Sequence, residues 1–340
     1  MSQKKRESIA AILLLLALAA FLFIGGRILK PKQADFGSNW GPFLQEAEDS
    51  IDIMFFGSSL AYCDIVPAII WENSGYSAYV LAGGEQPLAV TYYYLREALR
   101  HQSPQAVFVE ISGLFYSQDT DYLKANIGNM PLTANRLHAT FEAAPVSEWP
   151  ALFLPFCAYH DRWDELTRED FRYALLGYEP DPLAGYTFLS TSTPTMGRVT
   201  REIDFEQENY EHNLSYLQQI ADYATEHDVA VIFYIAPSYW LPEKKYLDLA
   251  AADARAIDNA IFYDMNDDFT ALGIDDSIDF FDILHFNYRG AEKFSTYLGH
   301  LICTLELDTP TADTQLWQSR SEYFHQLAAE ADAASANLSQ

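Results

Sequence analysis

Two distant segments of the chain carry the side chains from which proteins build an activated hydroxyl. In the first, the apolar run 53–56 passes into a turn of small residues that contains Ser58 and Ser59. In the second, Asp282 and His285 lie three residues apart, directly after another apolar run. A serine hydroxyl is nearly inert at neutral pH until a base takes its proton, and an imidazole oriented by a carboxylate is suited to that task. The residue types therefore indicate nucleophilic catalysis at a serine.

This chemistry also needs N–H groups that hold the negative oxygen of the intermediate. One is the backbone N–H next to the nucleophile. The turn 82–86, which follows the second predicted strand, can supply another, because Gly83 and Gly84 let its backbone come close to a substrate. The Gln86 amide adds a side-chain donor in the same turn.

Predicted strands alternate with predicted helices along most of the chain. Apolar runs and turn residues predict strands at 51–56, 78–81, 106–111, 229–235 and 278–281. Helices are predicted at 67–73, 88–101, 213–227, 253–264 and 289–303. Residues 112–205 lose this alternation and are predicted as a large insertion that shapes a cleft, with helices at 151–154 and 168–176.

Alternation of this kind predicts an α/β fold, in which helices cover both faces of a parallel sheet. Ligands of such sheets bind beyond the carboxyl ends of the strands. Ser59 and His285 both follow predicted strands at that end. The two segments are therefore expected to meet in space, although they are far apart in the sequence.

The composition excludes several classes of function. The 340 residues carry a formal net charge of −27, which repels nucleic acid and anionic membrane surfaces. The sequence contains neither a glycine-rich phosphate loop nor a cluster with metal-ligand spacing, so no cofactor and no metal is predicted. Cys63, Cys157 and Cys303 are odd in number, which argues against a disulfide framework, so buried free thiols are predicted.

The uncharged apolar run 9–26 follows the basic residues Lys4, Lys5 and Arg6 and is just long enough to span a bilayer as a helix. The alternative is a cleaved signal peptide, but the run is long for one and lacks a clear cleavage motif. We therefore predict a single-pass anchor in the cell membrane with the large domain outside the cytoplasm. The predicted segments are a cytoplasmic tail (1–8), the anchor (9–26), a linker (27–50), the domain (51–306) and an acidic C-terminal tail (307–340).

The Gly-x-Ser turn that ends at Ser59, together with Asp282-x-x-His285, resembles the SGNH/GDSL hydrolase superfamily. Within it, the chain is similar to a membrane-anchored bacterial branch that includes the alginate O-acetylation and teichoic-acid D-alanylation proteins. The resemblance covers residues 50–115 and 205–305. It implies a three-layer α/β/α sandwich with a flavodoxin-like parallel sheet. It also implies Ser59 as nucleophile, His285 as base and Asp282 as the acid that orients the base.

Some positions depart from the superfamily pattern and leave alternatives open. The aspartate that precedes the nucleophile is Ser58 here, and the nucleophile could be either Ser58 or Ser59. The glycine of the second sequence block falls on Gly84 or Gly83. The asparagine of the third block has no match after the third strand. Gln86 is therefore predicted to complete the oxyanion hole beside the N–H groups of Ser59 and Gly84.

His160, Arg162 and Trp163 form a polar and aromatic group inside the insertion. They are predicted at the cleft, where they would stack on a sugar and hydrogen-bond it. The alternative is the start of a surface helix with a buried tryptophan.

The expected function is that of an extracytoplasmic serine esterase or O-acyltransferase. Its substrate would be the acyl groups, acetyl groups above all, of a cell-envelope polysaccharide or another acylated glycan, and a membrane-bound acyltransferase is an expected partner. The alternative is a non-catalytic glycan-binding or scaffold subunit of a membrane acyltransferase system. The missing asparagine favours that alternative, and the intact Ser, His and Asp set argues against it.

Overall fold

The computed structural model describes residues 2–32, 37–116, 120–195, 197, 199–266 and 271–338. In chain order its strands are β1 (Ile53–Phe56), β2 (Ala78–Val80), β3 (Ala106–Glu110), β4 (Val199–Arg201), β5 (Ala230–Ile235), β6 (Trp240–Pro242) and β7 (Ala260–Asp264). A central parallel sheet has the order β2-β1-β3-β5-β7, and β4 pairs with β6 in a separate parallel ribbon. Numbered along the chain, the five central strands run 2-1-3-4-5, the order found in flavodoxin-like sheets.

Helices connect these strands and fill the insertion. They are α1 (Gln3–Leu29), α2 (Trp40–Phe43), α3 (Ser59–Tyr62), α4 (Pro67–Ser74), α5 (Leu88–Ala98), α6 (Thr120–Asn129), α7 (Ala134–Ala143), α8 (Trp149–Phe153), α9 (Pro155–Tyr159), α10 (Arg168–Leu176), α11 (Gln207–Thr225), α12 (Lys244–Arg255), α13 (Tyr288–Ile302) and α14 (Thr314–Leu338). Short 3₁₀ turns lie at Ser112–Phe115, Val146–Glu148 and Arg162–Asp164.

The sheet is buried on both faces because its strands are apolar on both sides. Along β1, Ile53 and Phe55 point to one face, Met54 and Phe56 point to the other, and all four are fully buried. Helices α5, α11 and α12 cover the face of Met54 and Phe56, and helices α4, α13 and α14 cover the opposite face. The prediction of an α/β fold with a parallel sheet is confirmed, as are the four predicted strands that became β1, β2, β3 and β5.

The fifth strand lies elsewhere than predicted. The sequence predicts a helix over 253–264, but α12 ends at Arg255 and β7 pairs with β5. Asn259 adopts the left-handed conformation, with a φ of 64°, and turns the chain between the two elements. The aromatic and β-branched residues of β7 then favour an extended strand.

The strand predicted at 278–281 is also wrong. Phe280 forms an isolated antiparallel bridge with Phe286, and the chain between them is a compact loop. His285 therefore lies in the loop that follows β7 and not directly after a strand of the sheet. Both phenylalanine rings are fully buried, and they anchor this loop to the core beneath α13.

Helix α1 is longer than the predicted anchor and forms a continuous helix that is long and apolar enough to cross a membrane. Most of its apolar side chains are exposed. Part of the linker predicted at 27–50 lies outside the described residues. Cys63 is buried as predicted, but Cys157 and Cys303 are exposed, so the prediction of buried thiols is wrong for these two. They lie at the surface of short or terminal helical turns, where no core surrounds them.

The C-terminal region, predicted as a tail, is part of the folded body. In α14, Trp317 and Phe324 are fully buried, and the Phe324 ring contacts the rings of Tyr186 and Phe188. These apolar side chains are widely spaced among acidic and small residues. Their amphipathic pattern is therefore weak in the sequence, although Phe324 packs into the core cluster of Ile53 and Phe55 and Trp317 packs into that of Met54 and Phe56.

We predict that Phe324→Ala lowers the free energy of unfolding by about 3–5 kcal/mol, because it removes a buried ring and leaves a cavity. The measurement is urea denaturation of the full chain in detergent, followed by tryptophan fluorescence. The exposed neighbour Leu316 provides a control, since Leu316→Ala is expected to change stability by less than about 1 kcal/mol. Equal stability of Phe324→Ala and the wild type would show that α14 is not a structural layer.

Candidate active site

Ser59, His285 and Asp282, here called the triad, form a continuous hydrogen-bonded series. Ser59 Oγ lies 2.8 Å from His285 Nε2, and His285 Nδ1 lies 3.0 Å from Asp282 Oδ2 and 3.2 Å from its Oδ1. A carboxylate only accepts hydrogen bonds, so Nδ1 carries the proton and Nε2 is the nitrogen that accepts from the serine hydroxyl. The arrangement has the geometry of a serine nucleophile with its base and orienting acid. The sequence predicts these three residues together, and the structure brings them together.

The turn between β1 and α3 sets the position of Ser59. Gly57 has a φ of 138°, and a Cβ built on it would lie 2.6 Å from the Cβ of Glu110 on the neighbouring strand. Only glycine fits this turn, because another side chain would be both strained and too close to β3. The chain then enters α3 at Ser59, at the carboxyl end of β1 and next to β3, where the strand order reverses. Ligands of doubly wound sheets bind at this point.

Ser58 has a different environment from Ser59. Its side chain is fully buried, donates to Glu110 Oε2 at 2.6 Å, and accepts from the Leu60 N–H as the N-cap of α3. The structure therefore brings Ser59, and not Ser58, against the imidazole. Ser58 instead ties the start of α3 to the end of β3.

Glu110 is a buried acid that sequence reasoning missed. Its carboxylate accepts from the hydroxyl groups of Ser58 and Ser112 and from the Ser112 N–H. Burial raises the pKa of this carboxyl, although those hydrogen bonds oppose the shift. An acidic residue at the end of the apolar strand 106–110 was the available signal, because a buried carboxylate there needs partners from the adjacent turn. Glu110 thus holds the turn that carries Ser58 and Ser59 against the end of β3.

The loop that carries His285 is shaped by Asp282. Asp282 Oδ1 accepts hydrogen bonds from the backbone N–H groups of Leu284 and His285, each at 2.7 Å. Burial alone would raise the pKa of the Asp282 carboxyl, but hydrogen bonds and the charge of His285 outweigh burial and hold the pKa below its ordinary value. The carboxylate is therefore ionised at neutral pH and can stabilise an imidazolium.

A buried hydrogen bond joins the histidine loop to the nucleophile segment. Asp64, just after α3, is fully buried and its Oδ1 accepts from the Phe286 N–H at 2.9 Å. Nearby, the Val66 N–H donates to the Ser295 hydroxyl of α13 at 2.7 Å. Burial raises the pKa of the Asp64 carboxyl well above its ordinary value, and its Oδ2 has no partner among the described residues. Both contacts fix the distance between Ser59 and His285.

Two backbone N–H groups beside the triad are available to form an oxyanion hole. Within the part of the chain that the structure describes, the N–H groups of Ser59 and Gly84 have no hydrogen-bond partner, and both residues line the cleft over the triad. The Gly83 N–H, by contrast, donates to the Gly57 carbonyl, which favours Gly84 of the two predicted glycines. Asn126 of the insertion donates to the Gly84 carbonyl at 2.9 Å and orients its peptide. Glu85 adopts a φ of 40°, a strained conformation of the kind that clusters at functional sites.

The third predicted donor, Gln86, lies elsewhere. The Gln86 side chain is fully buried, its amide nitrogen donates to Thr91 of α5, and the residue does not line the cleft. It faces the helix because α5 begins immediately after the turn and packs over it. Gln86 is therefore a structural residue of the turn in this structure.

The predicted sugar-binding group is also remote from the triad. His160 is exposed beside α9 and contacts the Cys157 carbonyl, and Trp163 is 70% exposed. Arg162 donates to the Leu29 carbonyl at the end of α1 and forms an ion pair with Asp170. None of the three lines the cleft. The insertion carries this segment to the end of α1, a position that the local sequence does not encode.

A cleft of about 270 Å³ opens over the triad. Its walls include Tyr62, Tyr116, Tyr122, Arg201 and Trp240. A larger groove of about 730 Å³ lies beside α13 and α14 and is lined by other residues, so volume alone would point away from the triad. The aromatic walls suit the flat apolar face of a sugar ring or an acyl group.

Arg201 is the cation of this cleft that the sequence did not reveal. The pairing of β4 with β6 brings its guanidinium 4.8 Å from the centre of the Trp240 ring and 5.5 Å from that of Tyr116. Among the described residues, no carboxylate pairs with Arg201. Because its guanidinium lies over aromatic rings and meets no carboxylate in the described part of the chain, Arg201 is able to bind an anion.

Comparisons with known proteins give no independent assignment: no protein-family model matches the chain, and no curated protein matches its sequence. Within the described residues, no group of three or more His, Cys, Asp or Glu side chains is placed to hold a metal ion. The site itself therefore carries the functional argument.

We predict that Asp64→Asn flattens the dependence of stability on pH. Because burial raises the pKa of Asp64, folding favours the neutral acid. Its contribution to stability is complete below the ordinary pKa and is lost as the pH rises through the folded-state pKa. The wild type should lose more unfolding free energy than Asp64→Asn between about pH 4 and about pH 8.

The measurement is a series of urea titrations of the full chain in detergent. Asp248→Asn, which changes an exposed carboxyl of α12, is the matched control and should follow the wild-type curve. Parallel curves for the wild type and Asp64→Asn would contradict a neutral Asp64 in the folded protein.

Proposed function

We propose that the chain is a serine esterase or O-acyltransferase of the SGNH/GDSL type, acting on acyl groups, acetyl groups above all, of cell-envelope glycans. The observation that carries this proposal is the hydrogen-bonded series from Ser59 Oγ through His285 to Asp282, at 2.8 and 3.0 Å. The strand order and the position of the triad at the carboxyl ends of the strands support it.

In the first half of the reaction, His285 Nε2 takes the proton of Ser59 while Oγ bonds to the acyl carbonyl carbon. The carbonyl oxygen becomes negative and is held by the N–H groups of Ser59 and Gly84. Asp282 stabilises the imidazolium through Nδ1. The bond from the carbonyl carbon to the alcohol oxygen then breaks, and His285 gives its proton to the departing alcohol. The acyl group remains on Ser59 as an ester.

In the second half, an incoming hydroxyl attacks the acyl-enzyme while His285 takes its proton. The bond to Ser59 Oγ breaks, and His285 returns the proton to that oxygen. Water as the attacking group gives an esterase, and a sugar hydroxyl gives a transferase. The two outcomes differ in how the cleft positions an acceptor and excludes water.

We place this activity at a membrane, on the side opposite the cytoplasm. Helix α1 is long and apolar enough to span a bilayer. Basic residues flank both ends of its apolar run, and the orientation rests on the short basic tail that precedes it. An anchored transferase would receive acyl groups from a membrane-bound acyltransferase partner. An anchored esterase would need no such partner.

Arg201 supports a narrower statement about the substrate. A cation on aromatic rings beside the nucleophile, without an acidic partner among the described residues, suits a carboxylate or phosphate group. We therefore include an anionic group on the glycan, close to the acylated hydroxyl, in the proposed substrate.

We predict that Ser59→Ala abolishes labelling by a fluorophosphonate probe and that Ser59→Ala and His285→Ala each lower kcat for p-nitrophenyl acetate by about 10³-fold or more. The reason is that Ser59→Ala lacks the nucleophile and His285→Ala lacks its base. The measurements are in-gel fluorescence and initial rates on the full chain in detergent, with Ser215→Ala on the outer face of α11 as the control. If the wild type binds acylated glycans but neither reacts with the probe nor hydrolyses the ester, the scaffold alternative holds instead.

We predict that Arg201→Gln weakens binding of an acidic oligosaccharide by about 10-fold or more, because it removes a charge-assisted hydrogen bond. The measurement is inhibition of p-nitrophenyl acetate hydrolysis by an oligogalacturonate and by a neutral oligogalactose. In Arg201→Gln, only the inhibition constant of the acidic oligomer should rise. For Arg201→Lys, that constant should lie between the values for the wild type and Arg201→Gln. Arg255→Gln, at an arginine stacked on Phe262 of β7, is the control. Equal inhibition of the wild type by the acidic and neutral oligomers would exclude an anion site.

A further inference from the structure

A short helix of the insertion packs against the last turns of the apolar part of α1. The Phe156 ring of α9 lies 5.6 Å from the Phe21 ring, and a Cβ built on Gly25 would lie 3.1 Å from Phe156. At Gly26 the backbone nitrogen of Phe156 would be 2.9 Å from such an atom. The two glycines therefore let α9 approach the axis of α1 closely.

The position of this contact along α1 determines how deep the contact would lie in a bilayer. The apolar run 9–26 is about 27 Å long as a helix, against a hydrocarbon core of about 30 Å. Phe21 and Gly26 are separated by about 8 Å along the helix axis. If α1 spans a bilayer, the segment in contact with these residues lies within the last part of the hydrocarbon region and not above the headgroups.

The surface around this contact is apolar as well. Outside α1, every large apolar side chain that the described structure leaves more than half exposed lies between residues 132 and 176. The most exposed are Leu176 at 80%, Leu175 at 78%, and Val146 and Trp163 at 70% each. Folded bodies seldom leave such a group in water, and tryptophan is enriched where proteins meet the membrane interface.

Polar contacts hold this surface rigidly to the base of α1. Arg162 donates to the Leu29 carbonyl at 2.7 Å, and its other nitrogen donates to the buried carboxylate of Asp170 in α10 at 3.0 Å. Thr167 is the N-cap of α10, and the Asp170 carboxylate completes the capping box by accepting from the Thr167 N–H. The helix that ends in Leu175 and Leu176 is thereby fixed relative to α1.

We propose that residues 149–176, here called the platform, lie in the membrane interface beside α1 and insert their exposed apolar side chains into the leaflet next to the folded body. This inference rests on the anchoring part of the proposed function and is independent of the catalytic part. The platform carries the acidic residues Asp161, Asp164, Glu165, Glu169 and Asp170 against the basic residues Arg162, Arg168 and Arg172. Apolar contact, and not attraction to anionic headgroups, therefore drives the insertion.

The test uses the native exposed thiols of the protein. Cys157 lies on α9 within the platform, and Cys303 lies at the end of α13. A nitroxide is placed on Cys157 in the Cys303→Ser chain, on Cys303 in the Cys157→Ser chain, and on Leu18→Cys in the doubly substituted chain as a reference within α1. Each full chain is reconstituted in vesicles of phosphatidylcholine and phosphatidylglycerol. Relaxation by dissolved oxygen and by a water-soluble nickel chelate then gives the depth of each label.

The proposal requires that the Leu18 label report the hydrocarbon core, the Cys157 label report the interface, and the Cys303 label report water. High salt should leave the Cys157 depth unchanged. Leu175→Glu with Leu176→Glu should move the Cys157 label towards water, whereas Leu316→Glu, at an exposed leucine of α14, should not.

Other results overturn the proposal in distinguishable ways. A deep Leu18 label with a Cys157 label in water leaves the anchor and rejects the platform. A Leu18 label in water rejects both. A Cys157 label that neither reagent reaches shows that a second copy of the chain covers the surface. Hydrolysis of p-nitrophenyl acetate by the same chains tests the catalytic proposal separately.

Discussion

The hydrogen bond from the Phe286 N–H to the buried carboxyl of Asp64 is the contact on which the site depends. It joins segments 222 residues apart and lies one residue from the histidine and a few residues from the nucleophile. The bond from Val66 to Ser295 adds a second point of attachment between the same two regions. A hydrogen bond of 2.8 Å between Ser59 and His285 tolerates little error in position. The two fully buried contacts at this junction hold the imidazole in place without using Ser59 or Asp282.

The parts of the structure that the sequence predicts are those with local signals. Four central strands are short apolar runs between turn residues, and the Gly57-Ser58-Ser59 turn and the Asp282-x-x-His285 turn each form their own hydrogen bonds. The meeting of Ser59 with His285 was predictable because Ser59 follows β1, the loop with His285 follows β7, and parallel strands present their carboxyl ends at one edge, although the strand predicted directly before His285 is absent. The fifth strand was not, because an apolar run at 260–264 suits a helix or a strand until its neighbour β5 is known.

The supporting residues were hidden because their partners come from distant elements. Glu110 depends on the turn after β1, Asn126 reaches Gly84 from the insertion, and Arg201 is held by the pairing of β4 with β6. Gln86 failed as a donor for the same reason, since Thr91 of α5 takes its amide. A polar residue can be recognised in a sequence as needing a partner, but the partner is chosen by tertiary packing.

The segment between α1 and β1 also has a mechanical consequence. Lys30 binds the Gly128 carbonyl at the end of α6, Ser38 binds Asn126 of the same helix, and Asn126 binds the backbone of Gly84 in the cleft. If a flexible linker joined α1 to the folded body, the cleft could move over a range of distances from α1 that grows with the length of the linker. If α1 spans a bilayer, these contacts hold the cleft at one height above the membrane surface. Under the proposed function, the cleft would then reach only those glycan hydroxyls that lie at that height, so the distance of a hydroxyl from the membrane would help to decide whether it is modified.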